Sequence, residues 1–381
     1  MDALGQIGHF GSGALGSIVP YLFVLTMIVF FHELGHFLVA RWCGVKIKTF
    51  SVGFGPELAG FNDRHGTRWK LSAIPLGGYV KFFGDEDVAS TPDRAALEAL
   101  TEEERSGTFF GKTVWQRAAI VAAGPIANFL LAIVIFAGIF ALHGREVLPA
   151  RIDQIVAGGV AEKAGFKPGD RILAIDGTKI ETFNDMQRIV SISADLPLAI
   201  LVQRDGQEFM LNATPERREV SDRFGNVQRI GQLGLSIQAS AATVVVQRYT
   251  LPEAVVMGAR ETWFVIDRTF AFIGGLFAGR ESTDDLGGPI RIAQISGQVA
   301  TLGFTALLNF AAVLSVSIGL LNLFPIPMLD GGHLLFYAIE AIRGRPLSPR
   351  LQDIGIRIGF AAVVMLLLFT TRNDFMRLLS L

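Results

Sequence analysis

Two histidines and a glutamate lie within about one helical turn of this sequence, in the segment His32-Glu33-Leu34-Gly35-His36. Residues four positions apart share one face of a helix, so both imidazoles can bind the same zinc ion. Glu33 would then lie beside a water activated by the metal, where a carboxylate can act as the general base. The segment follows an apolar run with no charged residue from Ile18 to Phe31. Because ionisable groups at membrane depth are costly and usually functional, the pattern predicts a zinc site inside the bilayer.

The composition is that of a membrane protein. Half of the 381 residues are hydrophobic and 18% are charged, whereas a soluble domain is about a quarter charged. The net charge of −1 argues against nucleic acid as a partner. The single cysteine excludes an intramolecular disulfide and a zinc site built from cysteines. The first apolar run has no basic segment before it, so we expect a retained anchor rather than a cleaved signal peptide.

Hydropathy predicts four membrane spans. The first three cover about Ile18–Ala40, Ala118–Leu142 and a run from Phe304 past Phe324. The fourth covers Ile358–Thr371 and needs Ile354–Arg357 to reach spanning length. The stretch from Ala254 to Ala278 has a helical pattern but contains four charged residues, which predicts an interfacial or extramembrane helix.

The basic residues near the span ends predict the orientation. Eight of them favour a cytoplasmic location if the N-terminus is outside: Arg41, Lys46, Lys48, Lys112, Arg117, Arg343, Arg345 and Arg350. Arg372 and Arg377 oppose it, because four spans place the C-terminus outside as well. We therefore expect both termini, and the segment from His143 to about Phe304, to be extracytoplasmic.

The segment between the first two spans has strand patterns. Val45–Phe54, Trp69–Ile74 and Tyr79–Phe83 read as strands, with a turn at Gly53–Pro56 and a break at Pro75–Gly78. The sheet could simply pack under the membrane face, or an open edge could pair with an extended substrate. A solvated acidic helix is predicted from Asp93 to Ser106.

A small α/β domain is predicted after the second span. A turn, a β-run and a second turn occupy Ala164–Gly177, and a helix is expected at Met186–Ser193. Leu198–Arg204 and Gln207–Ala213 read as a hairpin around Asp205-Gly206. Such a domain could be a rigid spacer or a peptide-binding cleft.

A catalytic zinc site needs a third protein ligand, and Asp330 is the best candidate. It lies in an apolar stretch after Pro325 and Pro327 and before two glycines. An unpaired carboxylate there would be costly, and a metal ion would account for it. A helix cap is the structural alternative for Asp330, and His333 competes as the ligand. We favour Asp330 over His333 because of its membrane depth.

These segments give the chain a recognisable resemblance. It resembles the site-2 protease group of intramembrane zinc metalloproteases, and within it the bacterial regulator-of-sigma-E protease type. Besides the zinc motif, the resemblance rests on Gly53-Phe54-Gly55-Pro56, Ile74 through Lys81, Gly124-Pro125-Ile126-Ala127-Asn128, and Asn322 through Gly332. It implies His32, His36 and Asp330 as zinc ligands and Glu33 as the catalytic acid and base.

The resemblance also implies how substrate is bound. Asn322 would contact the substrate, the β-element would clamp it, and the module after span two would be a circularly permuted PDZ domain. Leu233-Gly234-Leu235-Ser236-Ile237 would bind a peptide carboxylate there. The candidate substrate-binding residues are Asn322, Asn128, Leu71, Gly77, Gly78, Leu233, Gly234 and Leu235. The implied substrate is a transmembrane protein in the bacterial inner membrane, such as an anti-sigma factor already cut on its outer side.

The predicted fold is a polytopic α-helical membrane protein with a β-element and an inserted PDZ-like domain. Its parts are a first transmembrane helix with the zinc motif (1–45), a cytoplasmic-side β-element with an acidic helix (46–112), a second transmembrane helix (113–143), an extracytoplasmic PDZ-like domain (144–240), an extracytoplasmic or interfacial helical linker (241–302), a third transmembrane helix with the Asp330 motif (303–343) and a fourth transmembrane helix with a tail (344–381).

Two other classes of protein compete with a protease. A metal transporter would also bury His and Asp in the membrane, but it usually has internal repeats, which this sequence lacks. A membrane-anchored PDZ scaffold would account for the soluble module but would leave Glu33 and Asp330 without a role.

Overall fold

The computed structural model describes residues 3–84, 100–221, 227–236, 245–283 and 286–380. In chain order the elements are α1 (Ala3–Trp42), β1 (Ile47–Asn62), β2 (Arg68–Phe82), α2 (Glu102–Ser106), α3 (Val114–His143), β3 (Arg145–Val147), β4 (Gln154–Ile155), α4 (Val160–Lys163), β5 (Arg171–Ile175), β6 (Thr178–Lys179), α5 (Phe183–Ile192), β7 (Leu198–Arg204), β8 (Gln207–Ala213), β9 (Glu216–Ser221), β10 (Val227–Gln232), β11 (Leu235–Ser236), β12 (Val245–Gln247), α6 (Leu251–Phe277), α7 (Pro289–Ala300), α8 (Phe304–Asn322), α9 (Asp330–Arg343) and α10 (Pro349–Ser380).

Four of the described helices are long and apolar enough to cross a membrane. The candidate spans are Gly16–Trp42, Val114–His143, Phe304–Asn322 and Arg350–Leu379. They coincide with the four predicted spans, so the expectation of a multi-pass helical protein is confirmed. The fourth is much longer than the predicted apolar stretch. Helix α10 continues through the residues predicted as a C-terminal tail, to Ser380.

The predicted third span is two helices rather than one. Helix α8 ends at Asn322 and α9 begins at Asp330, with an irregular loop between them. Pro325 and Pro327 lie in this loop, where they cannot donate backbone hydrogen bonds to a continuing helix. Met328 has a positive φ of 94°, which is strained for a residue with a side chain. The break therefore places Asp330 at the start of a helix, rather than within a continuous span.

The chain divides into two compact units. The first comprises Met1–Gly138, Val255–Thr269 and Leu276–Leu381, and the second comprises Ile139–Ala254 with Phe270–Gly275. All four candidate spans lie wholly or almost wholly in the first unit.

Helix α10 holds α7 through a buried carboxylate. The Asp374 side chain accepts hydrogen bonds from the backbone N–H groups of Gly288, Ile290 and Arg291, at 2.9, 3.1 and 3.1 Å. These groups lie at the N-terminus of α7, where helix N–H groups have no intrahelical acceptor. An aspartate near the C-terminus of the last span thus caps the helix that packs against α1.

Strands β1 and β2 fold back on themselves into a wider sheet. Thr49–Val52 has partners on both sides, Arg68–Leu71 on one and Gly78–Lys81 on the other. The outer part of β1, Glu57–Asn62, pairs with the far side of Arg68–Ser72. The segment order across the sheet is therefore 57–62, 68–72, 49–52 and 78–82. The chain must reverse direction between Val52 and Glu57, as the predicted turn at Gly53–Pro56 requires.

This order shows which segment lies at the edge of the sheet. Leu71 lies in an inner segment, with Val52 on one side and Ala59 on the other. The hypothesis that Trp69–Phe83 as a whole forms an open edge is therefore wrong for its first half. Gly78–Phe82 is the edge segment. Its Val80 and Phe82 are buried against Phe37 of α1 and Phe50 of β1, so the sheet and the first span share one apolar core.

An ion pair fixes the hairpin turn to the end of α1. The Arg41 guanidinium donates to the Asp63 carboxylate, which also accepts from the backbone N–H groups of His65 and Thr67. Partial desolvation raises the pKa of Asp63, but these donors outweigh it and hold the pKa well below its usual range. The carboxylate therefore remains an anion that anchors the turn.

The second unit contains a four-stranded sheet in the order β6-β5-β7-β8. The predicted hairpin is present, since β7 and β8 pair from Leu198↔Ala213 to Arg204↔Gln207. Its core includes Ile172, Ile175, Ile200 and Val202 with Met186 of α5. Strands β3 and β12 lie before and after these elements in the chain and pair with each other. The chain therefore enters and leaves this part of the protein through two adjacent strands.

The acidic helix predicted from Asp93 to Ser106 falls mostly outside the described residues. Its final part is α2, which Thr101 and Glu104 cap through reciprocal side-chain and backbone hydrogen bonds.

Candidate zinc site

The two histidines of the motif point at each other from successive turns of α1. His32 Nε2 and His36 Nε2 are 3.2 Å apart. This distance allows a hydrogen bond between two neutral imidazoles, and it is also the spacing expected of two nitrogen ligands of one metal ion. The helix therefore presents two nitrogen ligands toward one point.

Asp330 completes this cluster from the start of α9. Its Oδ2 atom lies 3.2 Å from His32 Nε2, and its Oδ1 atom lies 3.6 Å from His36 Nε2. One ligand atom from each of the three residues lies within 4.8 Å of the others. Two ligands of a tetrahedral zinc at ~2.1 Å are ~3.4 Å apart, so the observed spacings fit this ion.

The hydrogen bonding of Asp330 also fits a metal. Oδ2 is buried and has no partner with hydrogen-bond geometry among the described residues. A buried carboxylate oxygen without a donor is costly, and a cation bound between it and the imidazoles would remove that cost. His333, the competing candidate, lines the same cavity one turn further along α9 but is not part of the cluster.

Helix α3 supports the histidines from behind. His36 Nδ1 donates to the carbonyl oxygen of Ile120 at 2.9 Å, which leaves the Nε2 lone pair free for a metal. Gly124 lies directly under both rings: a Cβ at this position would overlap His36 Nε2 and come within 2.8 Å of His32 Cε1. Asn128 contacts the other side of His32, with Nδ2 3.2 Å from Nδ1.

Glu33 faces the edge segment of the sheet. The backbone N–H of Val80 donates a hydrogen bond to its carboxylate. Gly78 is close to the same side chain, because a Cβ on Gly78 would lie 3.2 Å from Glu33 Cγ and 2.7 Å from the Ser51 carbonyl oxygen. The position of the candidate general base is thus set by the strand beside it.

The cluster opens into a cavity of about 890 Å³. Its wall includes His32, Glu33, His36 and Asp330 together with Gly78, Tyr79 and Val80 of the sheet edge. Elsewhere the wall carries Arg117 of α3, whose guanidinium donates to Glu340 of α9 at 2.6 Å and lies over the Tyr337 ring. Arg117 is one of the basic residues used to orient the chain, and here it joins the two helices that flank the cluster.

The predicted substrate-binding residues of the first unit lie in different environments. Gly78 lines the cavity, but Gly77 packs against the Phe54 ring. Leu71 lies on the inner segment described above. Asn322 is half-buried at the end of α8 and is not among the residues that line this cavity. Asn128 is 0% exposed and is not among the residues that line this cavity, so its predicted substrate contact stays a prediction.

The residues predicted to bind a carboxylate lie in the second unit. Leu233 is 3% exposed and belongs to the core of that unit, so its side chain is not available to a ligand. Gly234 has a positive φ of 74°, and Leu235 pairs with Ile155 through β11 and β4. Ile237 lies outside the described residues.

Sequence reasoning missed three supports of the cluster: the Ile120 carbonyl, Gly124 beneath the imidazoles and the Val80 amide. Backbone groups leave no signal in residue types. Gly124 could have been suspected, because a glycine in an apolar span permits close helix approach.

Comparison with known proteins assigns the chain to a family. Residues 20–366 match peptidase family M50. A protein of Rhizobium meliloti (strain 1021), named as a candidate zinc metalloprotease, is 55% identical over 94% of this chain and 96% of its own length. A similarly named protein of Agrobacterium fabrum is 53% identical over 96% and 97%. Metalloprotease MmpA of Caulobacter vibrioides is 40% identical over 96% of each chain.

The chain belongs to peptidase family M50. It is a multi-pass membrane protein and a zinc metalloprotease, as the zinc motif within the first span predicts. Membership in this family decides against the transporter and scaffold alternatives.

Proposed function

We propose that this metalloprotease cleaves the transmembrane segments of single-span membrane proteins. His32, His36 and Asp330 are the zinc ligands in this proposal, and Glu33 is the general base and acid. The observation that carries it is that a carboxylate oxygen of Asp330 converges with His32 and His36 of a spanning helix, with Glu33 and a strand edge beside them. A protease for soluble substrates would not need its metal site within a span.

The chemistry follows from this arrangement. When bound, zinc makes a water nucleophilic near neutral pH and polarises the peptide carbonyl. Glu33 takes the proton from the attacking water and later delivers it to the leaving amine. The Val80 N–H holds the carboxylate during both transfers. His36 is kept in the required tautomer by the Ile120 carbonyl.

In this proposal the sheet edge binds the unwound substrate segment as an additional strand. Peptide bonds in a transmembrane helix are shielded by their own hydrogen bonds, so the substrate must unwind before attack. Gly78, Tyr79 and Val80 of this edge segment line the cavity, and backbone pairing between the edge and a substrate strand would replace some of the lost bonds. A substrate strand along this edge would lie in the same cavity as Glu33 and the cluster.

The second unit would select the substrate. In this proposal it is a PDZ-like domain on the outer side of the bacterial inner membrane, and both chain termini are also outside. A carboxyl end becomes available there only after the outer domain of a substrate has been cut. An anti-sigma factor trimmed in this way fits these requirements, and its cleavage would make the enzyme part of regulated intramembrane proteolysis.

The test is cleavage of a single-span model substrate by the purified full chain. Glu33→Gln should retain a full equivalent of zinc and lose detectable cleavage, because only the proton carrier is changed. Glu103→Gln, an exposed carboxylate on α2, is the matched control and should cleave normally. Turnover by Glu33→Gln would disprove its role, and cleavage of only soluble peptides by the unchanged enzyme would disprove the substrate class.

A further inference from the structure

Asn128 is the most enclosed polar side chain near the cluster. It is 0% exposed, and its amide nitrogen lies 3.2 Å from Nδ1 of His32. Its Oδ1 atom is buried and has no hydrogen-bond partner among the described residues. His32 is therefore the one partner of this buried amide among the described residues, and either end of the amide can be turned toward it.

The chemistry of His32 decides which end of the amide should face it. Its Nε2 atom faces His36 and Asp330, so a metal in the cluster needs the lone pair of that nitrogen. The proton of the neutral ring must then reside on Nδ1, which becomes a hydrogen-bond donor. The partner of Nδ1 must therefore be an acceptor. Rotation of the Asn128 amide about its soft terminal torsion exchanges its two ends and brings Oδ1 onto Nδ1–H.

We infer that Asn128 is a positioning residue, whose side-chain oxygen accepts from His32 Nδ1–H and holds the ring in the tautomer that binds zinc. The arrangement matches that of His36, whose Nδ1 donates to the Ile120 carbonyl. Both acceptors come from α3, two turns apart. One helix therefore sets the tautomers of both histidine ligands.

Helix α8 keeps Asn128 in this place. The Ser315 hydroxyl donates to the Asn128 backbone carbonyl at 2.9 Å, and both residues are fully buried. Gly319 brings the α8 backbone against the same residue, because a Cβ there would lie 3.0 Å from the Asn128 Cβ. The side chain is thus held from behind and directed at His32.

Two near-isosteric substitutions separate this role from packing. Asn128→Asp keeps an acceptor and Asn128→Leu removes both polar ends. Zinc affinity of the full chain in detergent is measured by competition with a chelator. We expect Asn128→Leu to bind zinc roughly 10- to 100-fold more weakly and Asn128→Asp to stay within a few-fold of the unchanged protein. Ser317→Ala, on α8 with its hydroxyl bonded to the Val313 carbonyl, should have no effect.

A second readout reports the proposed hydrogen bond directly. Nitrogen NMR of 15N-histidine in the zinc-loaded protein should show a hydrogen-bonded proton on His32 Nδ1, and Asn128→Leu should lose this hydrogen bond. Equal zinc loss in the Asp and Leu variants would show that Asn128 only fills space, and unchanged affinity and Nδ1 signal in Asn128→Leu would overturn the proposal. The inference rests on the proposed ligand set, but neither readout requires cleavage, so its failure would leave the Glu33 test standing.

Discussion

The backbone amide of Val80 donates a hydrogen bond to the carboxylate of Glu33. This contact joins the sheet edge to the motif on α1. The same amide is consequently directed away from Phe50, its neighbour within the sheet. The position of the candidate general base and that of the strand that would hold a substrate are therefore coupled by one hydrogen bond.

Proline at position 80 should separate catalysis from sheet folding. Val80→Pro removes the donor to Glu33 without removing a ladder bond to β1, so we expect normal zinc content and a roughly 10- to 100-fold lower kcat. Leu71→Pro is the contrast, since its segment pairs on both sides and the sheet should lose its folded structure. Zinc analysis and cleavage rates measure both. Unchanged kcat in Val80→Pro would show that this hydrogen bond does not contribute to catalysis.

The imidazoles of His32 and His36 leave no room for a side chain at Gly124. A methyl group there would overlap the ring of His36, and overpacking of this kind costs about 1–3 kcal/mol. Gly124→Ala should therefore weaken zinc binding roughly 10- to 100-fold. Gly138→Ala on the same helix has no heavy atom within 4 Å of its Cβ and is the matched control. Equal zinc affinity of the two variants, measured by chelator competition, would contradict the described packing.

The identity of the third ligand is open to a direct comparison. Asp330→Ala should reduce zinc occupancy strongly, because the cluster would keep only two ligands. His333→Ala should retain a full equivalent, since His333 is outside the cluster. Metal analysis of both purified variants decides the matter. Full occupancy in Asp330→Ala with loss in His333→Ala would identify His333 as the ligand.

The second unit should lose stability in acid through Asp170. This carboxylate is fully buried and accepts from Arg204 at both oxygens, at 2.7 Å each. Burial raises the pKa of Asp170, but the Arg204 guanidinium and the Lys167 amide outweigh it, so the pKa lies below its ordinary value. Asp170 therefore contributes fully to the stability of the second unit above about pH 3.9, which is the pKa of an aspartate in the unfolded chain. This contribution is lost as the pH falls from there through the lower pKa of the folded state.

Asp170→Asn removes the titrating carboxylate, so its effect on the free energy of unfolding should depend on pH. We expect the substitution to destabilise the unit by about 2–3 kcal/mol near neutral pH and by about 1 kcal/mol less at pH 3, where the unfolded carboxyl group is mostly protonated. Pulse proteolysis of the full chain in urea, at each pH, measures the difference. A constant difference between pH 3 and pH 6 would show that the ion pair does not carry the acid sensitivity.

Deletion of Ala150–Gln238 tests the role of the second unit. The cluster lies entirely in the first unit, and paired strands β3 and β12 flank the deleted segment, so zinc binding should persist. We expect uncut precursors to be cleaved about as well as trimmed substrates. If the variant still cleaves only the trimmed substrate, selection lies in the membrane part.

The sequence predicts the elements that local pattern controls. Apolar runs long enough to span a membrane identified the four candidate helices, and the four-residue spacing identified the facing His32 and His36. Pro325 and Pro327 indicated an interruption before Asp330, although the loop length and the separate helix α9 did not follow from them. These features depend on neighbouring residues alone.

Features set by distant contacts were not predictable. The order of segments in the sheet places Leu71 inside and Gly78 at the edge, and no alternation pattern distinguishes these two positions. Asn128 was predicted to contact substrate on the basis of the family resemblance. Only the packing of α3 between α1 and α8 shows that it faces His32 and is enclosed.

The cluster draws its members from opposite ends of the chain. His32 and His36 are made early in synthesis, whereas Asp330 follows only after the sheet and the whole second unit. A nascent chain therefore holds two imidazoles in the membrane without a complete metal site. With Asp330 as the proposed third ligand, the metal site becomes complete only once the start of α9 has been made, so proteolytic activity would be a property of the nearly finished chain.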